Sequence, residues 1–229
     1  MPATAQSQPL TDRSWLLAID TATPQAGIAV TNGEEFAATT WPGGRRQTTS
    51  VASAITELLD RAEVSLVDLG AIAVTTGPGS FTGLRVGLSL AKGMALEPER
   101  DLVGVPTLEV VAAPLLELGL LAIAVIPAGR GRVVWAESSG GMLGESVNSE
   151  FSLFLDAVSA RDNAVVVGEL DRSQRSSLLD GGIVLAPVPL GLDRAGTLAA
   201  IGYGRWRNGA TTDADSLQPI YLHGRPNPR

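Results

Sequence analysis

The residues with chemical potential lie in two short runs. The first is Asp20-Thr21-Ala22-Thr23, which follows the apolar stretch Trp15–Asp20 (WLLAID). An acid at the end of a buried strand caps the turn that follows. The second is Gly77-Pro78-Gly79-Ser80-Phe81-Thr82-Gly83-Leu84-Arg85-Val86-Gly87, which joins an apolar strand to a helix. Backbone amides at such a junction can hold an anion. A Walker A loop requires Gly-Lys-Ser/Thr where Thr82, Gly83 and Leu84 stand. The dinucleotide fingerprint requires a glycine at 82, and a hydrolase elbow around Ser80 requires glycines at 78 and 82. None of these three catalytic loops is present. As local structure, Pro78-Gly79 makes a turn and Ser80 or Thr82 caps the helix.

The helix that follows carries Gly83, Gly87 and Ala91 at four-residue spacing. Each glycine inside a helix costs about 1 kcal/mol relative to alanine. Such a stripe admits a second backbone at close range, either the chain's own sheet or another chain. A neighbouring helix over residues 49–62 places Val51, Ala52, Ile55, Leu58, Leu59 and Ala62 on one side. The pair would present a two-helix face suited to a similar pair on a partner, and Gly87→Arg is then expected to abolish binding while leaving the fold intact. Arg85, in the first turn beside the stripe, is either an interface anchor or an exposed side chain. Lys92, facing away from the stripe, reads as a solvated lysine.

The elements that position these runs occur in a repeating order. Strands at 15–20, 27–31 and 36–41, with an Asn32-Gly33 turn, precede the helix at 49–62, a strand at 71–76 and a helix at 81–96 stopped by Pro98. Residues 102–119 read as a connector with a helix from 107. Strands at 121–126, 133–137 and 144–150 then precede a helix at 152–160, a strand at 164–167, a helix at 171–179, a strand at 183–186 and a last helix at 194–207. Two βββαβα units, the second with an extra βα pair, predict a duplicated α/β fold of the actin-like (ribonuclease-H-like) ATPase type. The division expected is a disordered leader (1–13), an N-terminal, partner-binding lobe (14–104), a C-terminal lobe (105–215) and a tail (216–229).

Composition narrows the chemistry. The 229 residues include no cysteine and a single histidine, His223, which excludes disulfides and thiolate catalysis and leaves little for histidine-based sites. The net charge of −7 opposes unaided binding to a phosphate backbone. Arg45-Arg46 and the region of Arg205 and Arg207 read as ordinary solvated charge. The most apolar long stretch, 110–127, is broken by Pro114 and Glu117 and is too short to span a bilayer, so no membrane association and a cytoplasmic location are expected.

The segments WLLAIDTAT, AIAVTTGPGSFTGLRVGLSLAKGMAL, VGVPTLEVVA and QPIYL resemble the TsaB (YeaZ-type) family over residues 15–222. GPGSFTGLR is specific for TsaB together with its catalytic relative TsaD. The resemblance implies a part in making threonylcarbamoyladenosine beside the tRNA anticodon, as a subunit without activity of its own. TsaD would supply metal, ATP and transferase chemistry, so this chain would need no cofactor. It would bind TsaD through its N-terminal helices, here Gly83, Arg85, Gly87, Ala91, Ile55, Leu58 and Leu59. A TsaE-type ATPase and a second copy of the chain are further implied partners, and direct tRNA binding by the chain alone is not expected. Metal-binding histidines of the TsaD kind are absent from the helix beginning Arg46-Gln47-Thr48-Thr49-Ser50. Asp20, Thr21 and Thr23 would be a vestigial phosphate loop. The second-lobe acid is missing from Ile126-Pro127-Ala128-Gly129-Arg130, and Glu169 interrupts the adenosine-binding glycine pair after Gly168. Gly181-Gly182 reads as a turn. Two other classes remain: an actin-like ATPase or small-molecule kinase acting alone, which needs the lost acid, and a peptidase, which lacks a base or metal ligands.

Overall fold

The computed structural model describes residues 14–42 and 47–221. The expected leader, the Arg45-Arg46 pair, His223 and the end of the tail lie outside them. The first half of the chain runs β1 (Trp15–Asp20), β2 (Gln25–Thr31), β3 (Phe36–Pro42), α1 (Gln47–Arg61), β4 (Leu69–Gly77), α2 (Phe81–Leu96), β5 (Asp101–Pro106) and α3 (Thr107–Glu117). The second runs β6 (Leu121–Gly129), β7 (Arg132–Ser139), β8 (Met142–Leu143), β9 (Val147–Glu150), α4 (Phe151–Ser159), β10 (Ala164–Gly168), α5 (Arg172–Asp180), β11 (Val184–Leu185), α6 (Val188–Leu192) and α7 (Arg194–Arg207). The two sheets have the orders β3-β2-β1-β4-β5 and β11-β10-β6-β7-β8, with β9 also paired to β7. In each, an antiparallel meander is extended by parallel strands that arrive through helices.

Two of the elements that escaped sequence reasoning are β5 and α6. Residues 101–106 form β5, parallel to β4, where only a connector was expected. Its pattern is short and interrupted by Gly104, which leaves room for Leu217 and Thr76. The five-residue α6 follows Pro187, and neither its length nor its composition gives a helical period.

Apart from its edge strand β3, the first sheet is buried on both faces, and side-chain alternation sorts its residues. Leu17, Ile19, Ile72 and Val74 point toward α1 and α2, which add Val51, Ile55, Leu58, Leu59, Leu88 and Ala91. The opposite face is built from smaller residues, including Ala18, Ala29, Ala71 and Ala73, and receives Ala195, Leu198 and Ala199 of α7. Small side chains allow that helix to lie close: a Cβ added at Gly202 would overlap that of Ala73. The second sheet packs α4 and α5 on one side, around Phe154 and Leu178. Its other side receives α3 through Leu108, Val111, Ala112 and Leu115. Val110 of α3 belongs instead to the core beneath α7, so α3 and α7 form a shared layer between the sheets.

This packing corrects the expected division at 104/105. Helix α7 is last in sequence but covers the first sheet. The stretch after it returns to that lobe too, with Thr212 N–H donating to Leu102 O, Ile220 N–H donating to Thr76 O, and Leu217 entering the first core. Chain order and packing therefore diverge after residue 193.

Candidate functional site

Strand register places Asp20 beside β4, where Thr75 Oγ1 donates to its Oδ1 at 3.0 Å. The Ala22 N–H donates to the same oxygen at 3.1 Å, the turn-capping bond anticipated for a strand-end acid. The other carboxylate oxygen meets a residue that sequence reasoning did not single out. Arg194, the first residue of α7, donates from Nε to Asp20 Oδ2 at 2.7 Å, and both side chains are 1% exposed.

The rest of that guanidinium is equally engaged. One terminal nitrogen donates to Gly191 O and to Glu169, each at 3.3 Å. The other donates to Thr23 Oγ1 at 2.6 Å and to Gln25 O. The Thr23 hydroxyl in turn donates to Glu169. Glu169 follows β10 in the second lobe, so the residue that interrupts the expected glycine pair reaches across to the loop after β1. A buried guanidinium presents five N–H donors, and this one has acceptors around its whole plane.

An actin-like ATPase implies a magnesium nucleotide whose metal-bound water answers to an acid such as Asp20. The residues here do not fit one. Both oxygens of Asp20 are taken, and Arg194 occupies the space on the open side of its carboxylate. The facing turn of the second lobe, between β6 and β7, offers Pro127 and Ala128 rather than an acid. With Pro78, Gly79 and Tyr221 these line an interlobe cavity of about 130 Å³. Among the described residues, no three His, Cys, Asp or Glu side chains converge as a metal site.

The glycine-rich run is explained by the same loop. A Cβ at Gly79 would overlap the Ala22 carbonyl, one at Gly83 the Thr21 carbonyl, and one at Gly87 the Thr21 hydroxyl. Thr21 Oγ1 donates to Gly83 O at 2.7 Å, and Ser80 N–H donates to Ala22 O at 2.6 Å. Ser80 Oγ caps the helix by accepting from Gly83 N–H at 3.2 Å. Two of the amides at this junction, those of Ser80 and Gly83, are thus engaged inside the chain. Of the two neighbours considered for the stripe, the chain's own β1–β2 loop fills the place.

This changes where a partner could touch. Gly83, Gly87 and Ala91 are buried, and Ile55, Leu58 and Leu59 lie in the first core. Of the seven residues expected at the interface, Arg85 alone is exposed. Gly87→Arg is not a clean disruption of a surface, since its side chain would start against Thr21. The outward side of the same helix pair is a shallow groove lined by Ala52, Phe81, Thr82, Arg85, Val86, Ser89 and Leu90. At its end, the 55%-exposed ring of Phe81 stacks with Tyr221 at 5.2 Å between centroids. Arg85 lies over Phe81, 3.8 Å from its centre, and donates to the Tyr221 hydroxyl at 3.2 Å. Periodicity favours apolar and small positions and so pointed to the inner face. Exposed Phe81, four residues before Arg85, marks the outer face of the helix in the sequence.

Two lobes of this topology, joined through a shared helical layer, define an actin-like α/β protein. Two solved structures from Pseudomonas aeruginosa share the fold. One is described as an uncharacterized protein with similarity to peptidase YEAZ (TM-score 0.73, 23% identity, 92% of this chain and 100% of that one). The other is YeaZ itself (TM-score 0.70, 22% identity, 91% and 100%). The chain belongs to the TsaB family. It is 30% identical to the tRNA threonylcarbamoyladenosine biosynthesis protein TsaB of Escherichia coli (strain K12) over 90% of this chain and 94% of that protein. Its identity to TsaB of Bacillus subtilis (strain 168) is 28%, over 72% and 75%. A family model described as TsaD, tRNA N6-adenosine threonylcarbamoyltransferase, matches residues 42–161. Alignment with that enzyme from Syntrophotalea carbinolica is local: 46% identity over 32% of this chain and 22% of the enzyme.

Proposed function

We propose that this chain is a non-catalytic subunit that binds and activates a TsaD-like enzyme for threonylcarbamoylation of the adenosine next to the tRNA anticodon. Membership of the TsaB family supports the pathway, since the relatives are named for threonylcarbamoyladenosine biosynthesis. The observation that carries the non-catalytic role is the Asp20–Arg194 pair. An acid that already accepts from Thr75, Ala22 and Arg194 is poorly placed to orient a metal-bound water, which supports leaving nucleotide and metal chemistry to the partner. Docking runs through the outward groove of α1 and α2. Phe81 and Arg85 supply an aromatic and a guanidinium of the kind that dominates interface energetics. A second copy of the chain and a TsaE-type ATPase compete for or extend the same assembly, in the cytoplasm. With a net charge of −7, the chain leaves tRNA contact to its partner.

The test is threonylcarbamoyl transfer to tRNA by a TsaD-like enzyme, measured with the chain absent, present, or carrying Arg85→Glu. Activity should depend on the chain and fall at least about 10-fold with the variant, the scale of a lost interface anchor. Equal transfer in all three would overturn the proposal.

A further inference from the structure

Actin-like lobes close on a nucleotide, whose metal and phosphates lie between them. Here the equivalent position is crossed by protein side chains, and their arrangement does more than neutralise Asp20. Asp20 belongs to the first lobe and Glu169 to the second, and the guanidinium of Arg194 contacts both. Thr23, on the first lobe, accepts from Arg194 and donates to Glu169, which closes a ring of three contacts. Gly191 O, from α6 at the edge of the second lobe, accepts from the same guanidinium. Had neutralising Asp20 been the whole purpose, the contacts to Glu169 and Gly191 would be superfluous.

We propose that Arg194 is a built-in substitute for the bound cation of the fold, and that it locks the two lobes in one closed arrangement without nucleotide. Three features support this. The guanidinium is planar and permanently charged, so it can be held by acceptors in its plane from both lobes at once. Two carboxylates face a single guanidinium, so an incoming phosphate would meet surplus negative charge as well as steric exclusion. The locked loop is also the one against which α2 is seated, through Thr21 and Gly83. Lobe closure and the position of α2 are therefore set by the same contacts. This inference does not depend on any partner and is tested on the chain alone.

Hydrogen–deuterium exchange of the full-length chain, with and without millimolar magnesium ATP, is the decisive measurement. Glu169→Ala removes the side-chain anchor on the second lobe while leaving Arg194 on Asp20 and on Gly191 O. It should speed exchange about 10-fold in residues 20–25 and 168–171, as expected for lost charge-assisted hydrogen bonds, with the sheet interiors unchanged. Magnesium ATP should change nothing in the wild-type chain. Arg194→Met leaves Asp20 buried and unpaired, and should lower the thermal midpoint by roughly 10 °C. If that variant does not fold, the Glu169→Ala profile still decides. Unchanged exchange in Glu169→Ala, or protection of residues 20–25 by magnesium ATP in the wild-type chain, would overturn the lock.

Discussion

Asp20 and Gly83 illustrate how residues that look functional in a sequence can serve packing. Asp20 sits where an actin-like ATPase needs an acid, yet one of its carboxylate oxygens accepts from Ala22 and Thr75 and the other from Arg194. Gly83 sits in a loop that resembles an anion cradle, yet it is small because the Thr21 carbonyl lies against it. The contrast with Gly93 is a direct test, since nothing lies within 4 Å of a Cβ there and the position is exposed in the same helix. Gly83→Ala should destabilise the protein by about 2 kcal/mol through overpacking against backbone. Gly93→Ala should stabilise it by about 1 kcal/mol through helix propensity. Chemical denaturation of the two variants beside wild type gives both signs, and a Gly83→Ala protein as stable as wild type would contradict the packing account.

At the scale of elements, α2 and α7 each divide their faces between tasks. Helix α2 turns its glycines inward onto the β1–β2 loop and its Phe81 and Arg85 outward, so one helix both seats the loop and offers a surface. Helix α7 presents Arg194 at its start and a row of small residues to the first sheet along its length. A cation in the first turn of a helix opposes the helix dipole, at a cost of about 0.3–1 kcal/mol, and the two carboxylates account for its presence there. That unfavourable position was the clue in the sequence to Arg194, and it is legible only once a partner is sought. Further along α7, Gly202 faces Ala73 while Gly204 faces open space. Gly202→Leu should cost about 3 kcal/mol or more by forcing the helix off the sheet, whereas Gly204→Ala should gain about 1 kcal/mol. Thermal unfolding monitored by circular dichroism reads the difference.

For the whole molecule, the return of α7 to the first sheet ties the ends of the chain together. The lobes are joined by α3, by α7 and by the Arg194 contacts, so neither sheet is a separate unit in sequence. A chain ending after residue 193 would keep every strand but expose the alanine face of the first sheet, with Leu16, Val103 and Val105. It should lose its cooperative thermal transition and bind the dye ANS, whereas retention of a sharp transition would show that the first lobe does not need α7. Among the described residues no helix is long and apolar enough to cross a membrane. Arg205, read from sequence as solvated charge, pairs with Glu109 and donates to Gly104 O, and so helps to hold α7 beside α3.

What the sequence by itself determined was local and periodic. Apolar alternation, the turn at Asn32-Gly33 and the stop at Pro98 defined most strands and helices and their βββαβα order, because these signals act over a few residues. The motifs GPGSFTGLR and WLLAIDTAT also carried the family. Only the tertiary structure decided which sheet α7 covers, because an apolar helix face records that it is buried and not against what. It alone turned the glycine stripe inward, since a small residue marks close approach without naming the neighbour. It also brought Arg194 to Asp20 and Glu169, across 174 and 25 residues of chain. No spacing rule reaches that far: ion pairs of this kind are set by where two lobes meet, and that is decided by the packing of both sheets onto the helices between them.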